Sequence, residues 1–503
     1  MKQSYPFYNP IRLSIVLLLL AFAPTIAFSQ ATYQPYSYHF YQKLNKIQYS
    51  PQTKQHTSIK PYIIDSIMVS AYDSLMNLGV KEQNTWVGRK LFNEHLIDVQ
   101  KEDYTFYADF IPDFQIGRDF TSEGTTTWLN TRGYQVGGTI QDKFFFYSSG
   151  YENQGVFPNY VNDFINENRV VPGQMYGKLG KKTQDWTYVT AIASYSPNTN
   201  LNLSLAYDKN FIGDGYRSML LSDVSSNSTS FKANGTLGDL SILSIWSYMI
   251  DPRATEMDHN RSSSLRKYGA FHYVDWNVDK RFSIGLFHSL LWGKKPESVS
   301  SEASSMMQLG LNTKYKVLDN AALYGQFIIN KEWAAQVGVR GFDAFGIKNL
   351  NFLGEYNFAK PYSYSSANPL TSYSNYSQPL AHPFGANFRE AVGILNYAFQ
   401  KFDFSLQANY GTYGLDPNAT DNYGKDIFKA IDKSSTESEI GQGLKTNLVF
   451  LDAKIAYIIN PKYNLRIETG AAYRSENNSM RENKGGLITL GIRSSFRNLY
   501  YDF

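Results

Sequence analysis

The chain has 503 residues, of which 43% are hydrophobic, 16% aromatic and only 18% charged, with a formal net charge of +4. A mean hydropathy of −0.38 excludes a helical membrane bundle, which needs several spans of about 20 apolar residues, and the aromatic content excludes a disordered chain. The near-neutral charge argues against nucleic acid as a partner, and the lack of cysteine excludes disulfides and thiolate metal sites.

At the N-terminus, Lys2 and Arg12 precede an apolar run at 13–22, followed by Pro24 and the small-residue site Ala27-Phe28-Ser29. That order of charge, apolar core and cleavage site predicts a cleaved export signal over residues 1–29. Residues 30–60 are polar, Tyr-rich and without a sustained period. Within 62–79, Ile63, Ile64, Ile67, Met68, Ala71, Leu75 and Leu78 fall near helical spacing before Gly79, which predicts a helix. Trp86, Leu91, Phe92, His95, Leu96 and Val99 predict a second, shorter one. Residues 30–103 therefore read as an extended and helical periplasmic segment or plug.

From about Tyr104 to Phe503 the period changes to two. Phe402, Phe404, Leu406, Ala408 and Tyr410 alternate with Lys401, Asp403, Ser405, Gln407 and Asn409; Leu201, Leu203, Leu205 and Tyr207 alternate with Asn200, Asn202, Ser204 and Asp208. Tyr463, Leu465, Ile467, Ala471 and Tyr473 form a further stripe, opposite Arg466 and Glu468. Runs of about 9–11 residues with aromatics at their ends suit tilted strands that cross a bilayer. Turn signals at Gln141-Asp142-Lys143, Pro197-Asn198, Gly238-Asp239, Val278-Asp279-Lys280, Asp319-Asn320, Gln400-Lys401 and Asn460-Pro461, with a weaker one at Phe342-Asp343-Ala344-Phe345, alternate with long polar segments at 152–186, 208–229, 250–268, 292–307, 359–389 and 411–443. The expectation is an all-β, outer-membrane barrel of about eighteen antiparallel strands over 104–503, its first strand near 104–116 and its last near 487–503. Because Ile488, Leu490, Ile492 and Phe496 have the opposite parity to Phe503, a bulge near Arg497-Asn498 is expected to restore the register.

No nucleotide-binding loop, zinc-protease motif or nucleophile elbow is present, and the seven His residues are scattered. Glu437 and Glu439 read as a solvated loop face. The chain is expected to be non-enzymatic and to need no cofactor or metal. Two loops are unusually specified. In 207–223, Asp208, Lys209, Asp214, Tyr216, Arg217 and Asp223 gather around Gly213 and Gly215 at the end of a neutral strand, and are expected to brace the barrel mouth by pairing with one another, Arg217 with Asp214 or Asp223, or else to hold a polar ligand. In 361–383, Pro369, Pro379 and Pro383 exclude a regular central strand. There Tyr362, Tyr364, Tyr373 and Tyr376 offer faces for stacking on sugars or for packing in the mouth, with His382, Asn387 and Arg389 beside them.

The stretches FIGDGYRSMLLSD (211–223) and QPLAHPFGANFREAVG (378–393), with the region 86–119, resemble Bacteroidetes outer-membrane proteins of the RemB gliding-motility type, akin to the wider Wzi capsule-assembly family. The resemblance implies a barrel of about eighteen strands with a periplasmic helical element, and a surface role in gliding and adhesion or, alternatively, in attaching capsular polysaccharide. A transport pore is a third alternative. Expected partners are outer-membrane lipid, the barrel assembly machinery, and surface polysaccharide or gliding-machinery proteins.

Overall fold

The computed structural model describes residues 32–79, 83–120, 124–141, 143–175, 178–180, 182–251, 265–293, 305–431 and 439–503. The export-signal expectation at 1–29, Asp142, Glu437 and most of the segments 250–268 and 292–307 lie outside them.

Eighteen antiparallel strands close into one barrel. In chain order they are β1 (Tyr104–Asp119), β2 (Thr125–Ile140), β3 (Phe144–Val156), β4 (Gln184–Asn198), β5 (Leu201–Asp208) and β6 (Ser228–Leu237). There follow β7 (Leu240–Asp251), β8 (Leu265–Asn277), β9 (Phe282–Gly293), β10 (Ser305–Leu318), β11 (Ala321–Ile329) and β12 (Trp333–Gly341). The last six are β13 (Leu350–Ala359), β14 (Phe388–Phe399), β15 (Phe402–Leu415), β16 (Leu444–Asn460), β17 (Leu465–Asn477) and β18 (Glu482–Arg493). Sequential strands are neighbours, and β18 closes on β1 from Leu487↔Asp119 to Ile492↔Phe114.

The period of two does what a barrel wall requires: Phe402, Phe404, Leu406, Ala408 and Tyr410 are exposed on the outside, while Gln407 and Asn409 are buried in the lumen. The eight tight turns are all present and share one rim. The connections at the other rim are less regular than the expected strict alternation, because 120–124, 330–332 and 478–481 are short. The stripe on β17 also begins later than expected. Asn464 adopts φ 55° in a turn, which leaves Tyr463 and Leu465 buried, and only Ile467, Ala471 and Tyr473 face out.

The end of the chain differs more. The expected strand to Phe503, with its bulge near Arg497-Asn498, is absent; β18 stops at Arg493 and residues 494–503 turn back into the lumen. A short strand, Ile97–Gln100, takes the edge of β1 at Thr105–Ala108 that a longer β18 would have used. The inward turn is held where Ser494 Oγ donates to Tyr463 O (2.8 Å) and Asn464 Nδ2 donates to Ser495 O (2.7 Å).

Among the described residues five α-helices accompany the barrel: α1 (Tyr38–Gln42), α2 (Asn45–Gln48), α3 (Val69–Met76), α4 (Trp86–Phe92) and α5 (Asn159–Asn168). The two helices predicted over 62–79 and 86–99 are shorter than the apolar spacing suggested, because Ile63–Ile64 and Ile97–Gln100 are consumed as strands. α4 lies under the tight-turn rim, where Asn460 Nδ2 donates to Lys90 O and Glu94 O.

A barrel of this size can enclose water, but this lumen is packed. Met219, Leu220 and Leu221 of the 209–227 connection meet Tyr364, Tyr373 and Leu380 of the 360–387 connection against the wall residues Phe271, Tyr273 and Phe287. A second cluster joins Phe40, Tyr41 and Leu44 of the N-terminal segment to Tyr62, Phe211 and Phe496. Each such fully buried side chain stabilises the packing by about 1.5–3 kcal/mol.

Candidate functional site

The most highly organised polar site lies where three inward-folded segments meet the wall. The 209–227 connection enters the lumen through Gly213, with φ at 151°, and passes so close to β13 that a Cβ on Gly215 would stand 2.2 Å from Glu355 Oε2. Only glycine tolerates that approach. The next two backbone amides donate to the same carboxylate, Tyr216 N at 2.9 Å and Arg217 N at 3.1 Å. Tyr324 Oη and Asn357 Nδ2, both at 2.8 Å, complete the shell of Glu355.

Arg217, 1% exposed, then spans two carboxylates. Nη2 donates to Glu390 Oε1 at 3.1 Å and to Asp502 Oδ2 at 2.8 Å. Each acid has further donors: Asn409 Nδ2 to Glu390 (3.0 Å), and Gln407 Nε2 (2.6 Å) and Tyr216 Oη (2.9 Å) to Asp502. His382 joins from the 360–387 connection. Its Nδ1 accepts from Phe384 N at 3.1 Å, which leaves Nε2–H to donate to Glu390 Oε2 at 2.7 Å. Burial holds the His382 imidazole below its ordinary value against the pull of Glu390, so the ring is neutral at physiological pH. For Arg217 burial acts in the same direction, but Asp502 and Glu390 outweigh it and keep the charge fixed.

The expected pairing inside 207–223 therefore does not occur. Arg217 pairs with neither Asp214 nor Asp223, and the side chains of both acids are held by residues outside 207–223. Asp214 accepts from Tyr49 Oη (2.6 Å) and Thr57 Oγ1 (2.5 Å) of the N-terminal segment and from Asn312 Nδ2 (3.3 Å) of β10. Burial pushes its carboxyl up, but Lys314 and Lys60 more than compensate and hold it at about 2. Asp223 accepts from Tyr500 Oη (2.8 Å) and Asn498 Nδ2 (2.8 Å) of the inward tail, and burial raises its carboxyl above the ordinary range. Lys209 donates to the carbonyls of Gly173, Asp223 and Ser225, and burial lowers its ammonium to about 8. Asp208 accepts from the Tyr33 hydroxyl.

The tyrosines of the second loop are not a stacking platform. Tyr362, Tyr364, Tyr373 and Tyr376 are all at most 9% exposed. Tyr364 Oη donates to Met219 O (2.9 Å), Tyr373 Oη to Leu220 O (2.5 Å) and Tyr362 Oη to Asn422 O (2.6 Å). Asn387 is buried as well, tying together the carbonyls of Tyr423 and Gln442, both at 3.0 Å. Arg389 is exposed on the outside of β14, so Glu390 faces the lumen in its place. Sequence reasoning missed Glu355, Glu390 and Asp502. The alternation along β14 carried the signal for Glu390, whose neighbours Phe388 and Val392 are also buried.

Cavities between the plug and the wall include one of about 150 Å³ and one of about 100 Å³. Both are bordered by His39, Lys454, Arg466, Glu468 and Arg497. Their charges are mutually paired, Lys454 with Asp452 (2.5 Å) and Arg466 with Glu468 (2.8 Å). Among the described residues no cluster of three or more His, Cys, Asp or Glu is placed to hold a metal ion.

Fold and site together define a transmembrane-type antiparallel β-barrel of eighteen strands whose lumen is packed by its own chain. No family model matches the sequence, and no curated protein matches it. Among solved structures, the chain is similar to Wzi of Escherichia coli, described as an outer-membrane protein involved in group 1 capsule assembly and a carbohydrate-binding β-barrel, with 15% identity over 76% of this chain and 85% of that one and a TM-score of 0.49. It is also similar to OprD of Pseudomonas aeruginosa, with 10% identity over 79% of this chain and 98% of that one and a TM-score of 0.44. OpdK of the same organism, solved with vanillate, gives 12% identity, 78% and 98% coverage and a TM-score of 0.41.

Proposed function

We propose that this chain is an exported outer-membrane barrel that neither conducts solutes nor catalyses a reaction, and that it serves as a rigid surface anchor supporting adhesion and gliding. The observation that carries the reading is the packed lumen: two long connections from the rim opposite the tight turns, the N-terminal segment and the tail converge on buried Arg217 and Asp214. The exposed apolar outside of the wall supports the membrane placement. The stretches 211–223 and 378–393 that carry the resemblance to gliding proteins are also the ones that form the lock around Arg217, which links the resemblance to this plug. Burial of the loop tyrosines removes the sugar-stacking feature that favoured capsule attachment.

Reconstitution into planar bilayers is expected to give no stable conductance steps, and a clean deletion is expected to reduce colony spreading while capsule retention is unchanged. Conductance comparable to that of a general porin, or loss of capsule without loss of spreading, overturns the reading.

A further inference from the structure

Across β7, β8 and β9 the outward face is apolar between its ends except at one place. Ser244 of β7, His272 of β8 and His288 of β9 are direct cross-strand partners, Ser244↔His272 and His272↔His288, and all three lie on the outward side of their strands. On β9, Phe282 and Trp292 bracket the outward run Ile284, Leu286, His288 and Leu290. On β8, His272 lies four residues from each of Tyr268 and Trp276, about 13 Å along the strand in either direction. The row therefore sits inside the band that faces hydrocarbon, between its aromatic borders.

The row is only half satisfied. Trp246 Nε1 donates to Ser244 Oγ at 3.0 Å, and Ser244 Oγ lies 3.1 Å from His272 Nδ1. The two imidazoles stack at 5.7 Å with an interplanar angle of 12°. Among the described residues, His272 Nε2 and both nitrogens of His288 have no hydrogen-bond partner. Hydrocarbon offers none, and polar groups at that depth are expensive unless a neighbouring protein surface meets them. A lipid headgroup or a soluble partner does not reach mid-depth.

We infer that the Ser244–His272–His288 row is a lateral docking site for a second copy of this chain within the membrane. A neutral imidazole carries one donor and one acceptor and a serine hydroxyl carries both, so the row is complementary to itself. His272 is its centre. Two barrels inserted in the same sense and related by a twofold axis along the membrane normal through His272 set that ring against its copy, with Ser244 and His288 on opposite sides of the axis. This is the isologous geometry of a closed dimer. The inference rests on the membrane placement given above, but not on the absence of conductance.

The chain has no cysteine, so single substitutions report cleanly. Leu286→Cys, beside His288 on the outward face, is expected to cross-link between copies in native membranes and in nanodiscs. Leu406→Cys, outward on β15, is the control and is not expected to link. His272→Leu with His288→Leu is expected to weaken self-association about tenfold, since intramembrane hydrogen bonds are individually modest, while heat-modifiability and outer-membrane fractionation stay as in the wild type. Those two readouts separate loss of the interface from failure of the membrane placement. Equal linking at both cysteine positions, cross-linking of Leu286→Cys only to a different protein, or undiminished association of the double variant overturns the inference.

Discussion

Arg217 and Asp502 stand 285 residues apart in the chain and meet at 2.8 Å, both side chains within 2% of complete burial. The contact joins the 209–227 connection to the inward tail, and Glu390 ties both to the wall. A buried ion pair is weak evidence of net stabilisation, but removing one member leaves the other charged and unpartnered. Arg217→Ala is therefore expected to cost about 3–5 kcal/mol and to lower the heat-modification temperature in detergent gels. Adding Glu390→Gln is expected to recover part of that loss, whereas adding Asp214→Asn is expected to deepen it, because Asp214 belongs to a separate set of contacts. Recovery by Asp214→Asn in place of Glu390→Gln contradicts the geometry.

The wall was legible in the sequence and the lumen was not, for one physical reason. Alternation reports which side chains share a face, and tight turns report where strands reverse, so eighteen strands and eight turns followed from local pattern. Neither signal says what a buried face packs against. Leu499, Tyr501 and Phe503 alternate as a lipid-facing strand would, yet they belong to a tail inside the lumen, where Phe503 packs on Phe164 at 4.5 Å. Partner choice for Arg217 failed in the same way. Local spacing favoured Asp214 and Asp223, but its actual partners lie 173 and 285 residues away, beyond any pattern of neighbours.

Ile467 faces outward on β17 and the adjacent Glu468 faces in, held by Arg466 at 2.8 Å and Arg493 at 3.2 Å. Ile467→Arg is expected to cost about 2–4 kcal/mol if the residue lies near the midplane, and Ile467→Leu is expected to be silent. Refolding yields into lipid vesicles measure both. Asn464 is not a neutral control for this comparison, since its left-handed conformation and its bond to Ser495 O make it part of the turn.

Asp214 contributes to the acid sensitivity of the plug. Its carboxyl titrates near 3.9 in an unfolded chain and is held at about 2 here, where burial is outweighed by Lys314 and Lys60. The folded state thus favours the charged form. The resulting stabilisation, on the order of 2 kcal/mol, is complete above about pH 4, falls as the pH drops through 2, and vanishes below both values. The stability difference between wild type and Asp214→Asn, read from heat-modification temperatures, is expected to be constant from pH 5 to 7 and to shrink between pH 4 and 2. A difference that grows on acidification refutes the assignment.

The 360–387 connection does more to fill the lumen than any ion pair. Tyr364 and Tyr373 anchor it to the backbone of Met219 and Leu220, His382 carries it to Glu390, and Leu380 O accepts from Ser222 N at 2.8 Å. Every one of these contacts lies between the two inward connections or between one of them and the wall. Replacing residues 363–385 by a short Gly-Ser linker removes one whole side of the packing while leaving β13 and β14 paired from Leu350↔Tyr397 to Ala359↔Phe388. The barrel is then expected to assemble and to remain heat-modifiable, but to show conductance steps in planar bilayers that the wild type lacks. His382→Ala alone removes one donor to Glu390 and is expected to leave the lumen closed. If the linker variant folds and stays silent, occlusion resides in the N-terminal segment around α1 and α2, where Lys43 reaches Asp403 and Lys46 reaches Asp343, both at 2.6 Å.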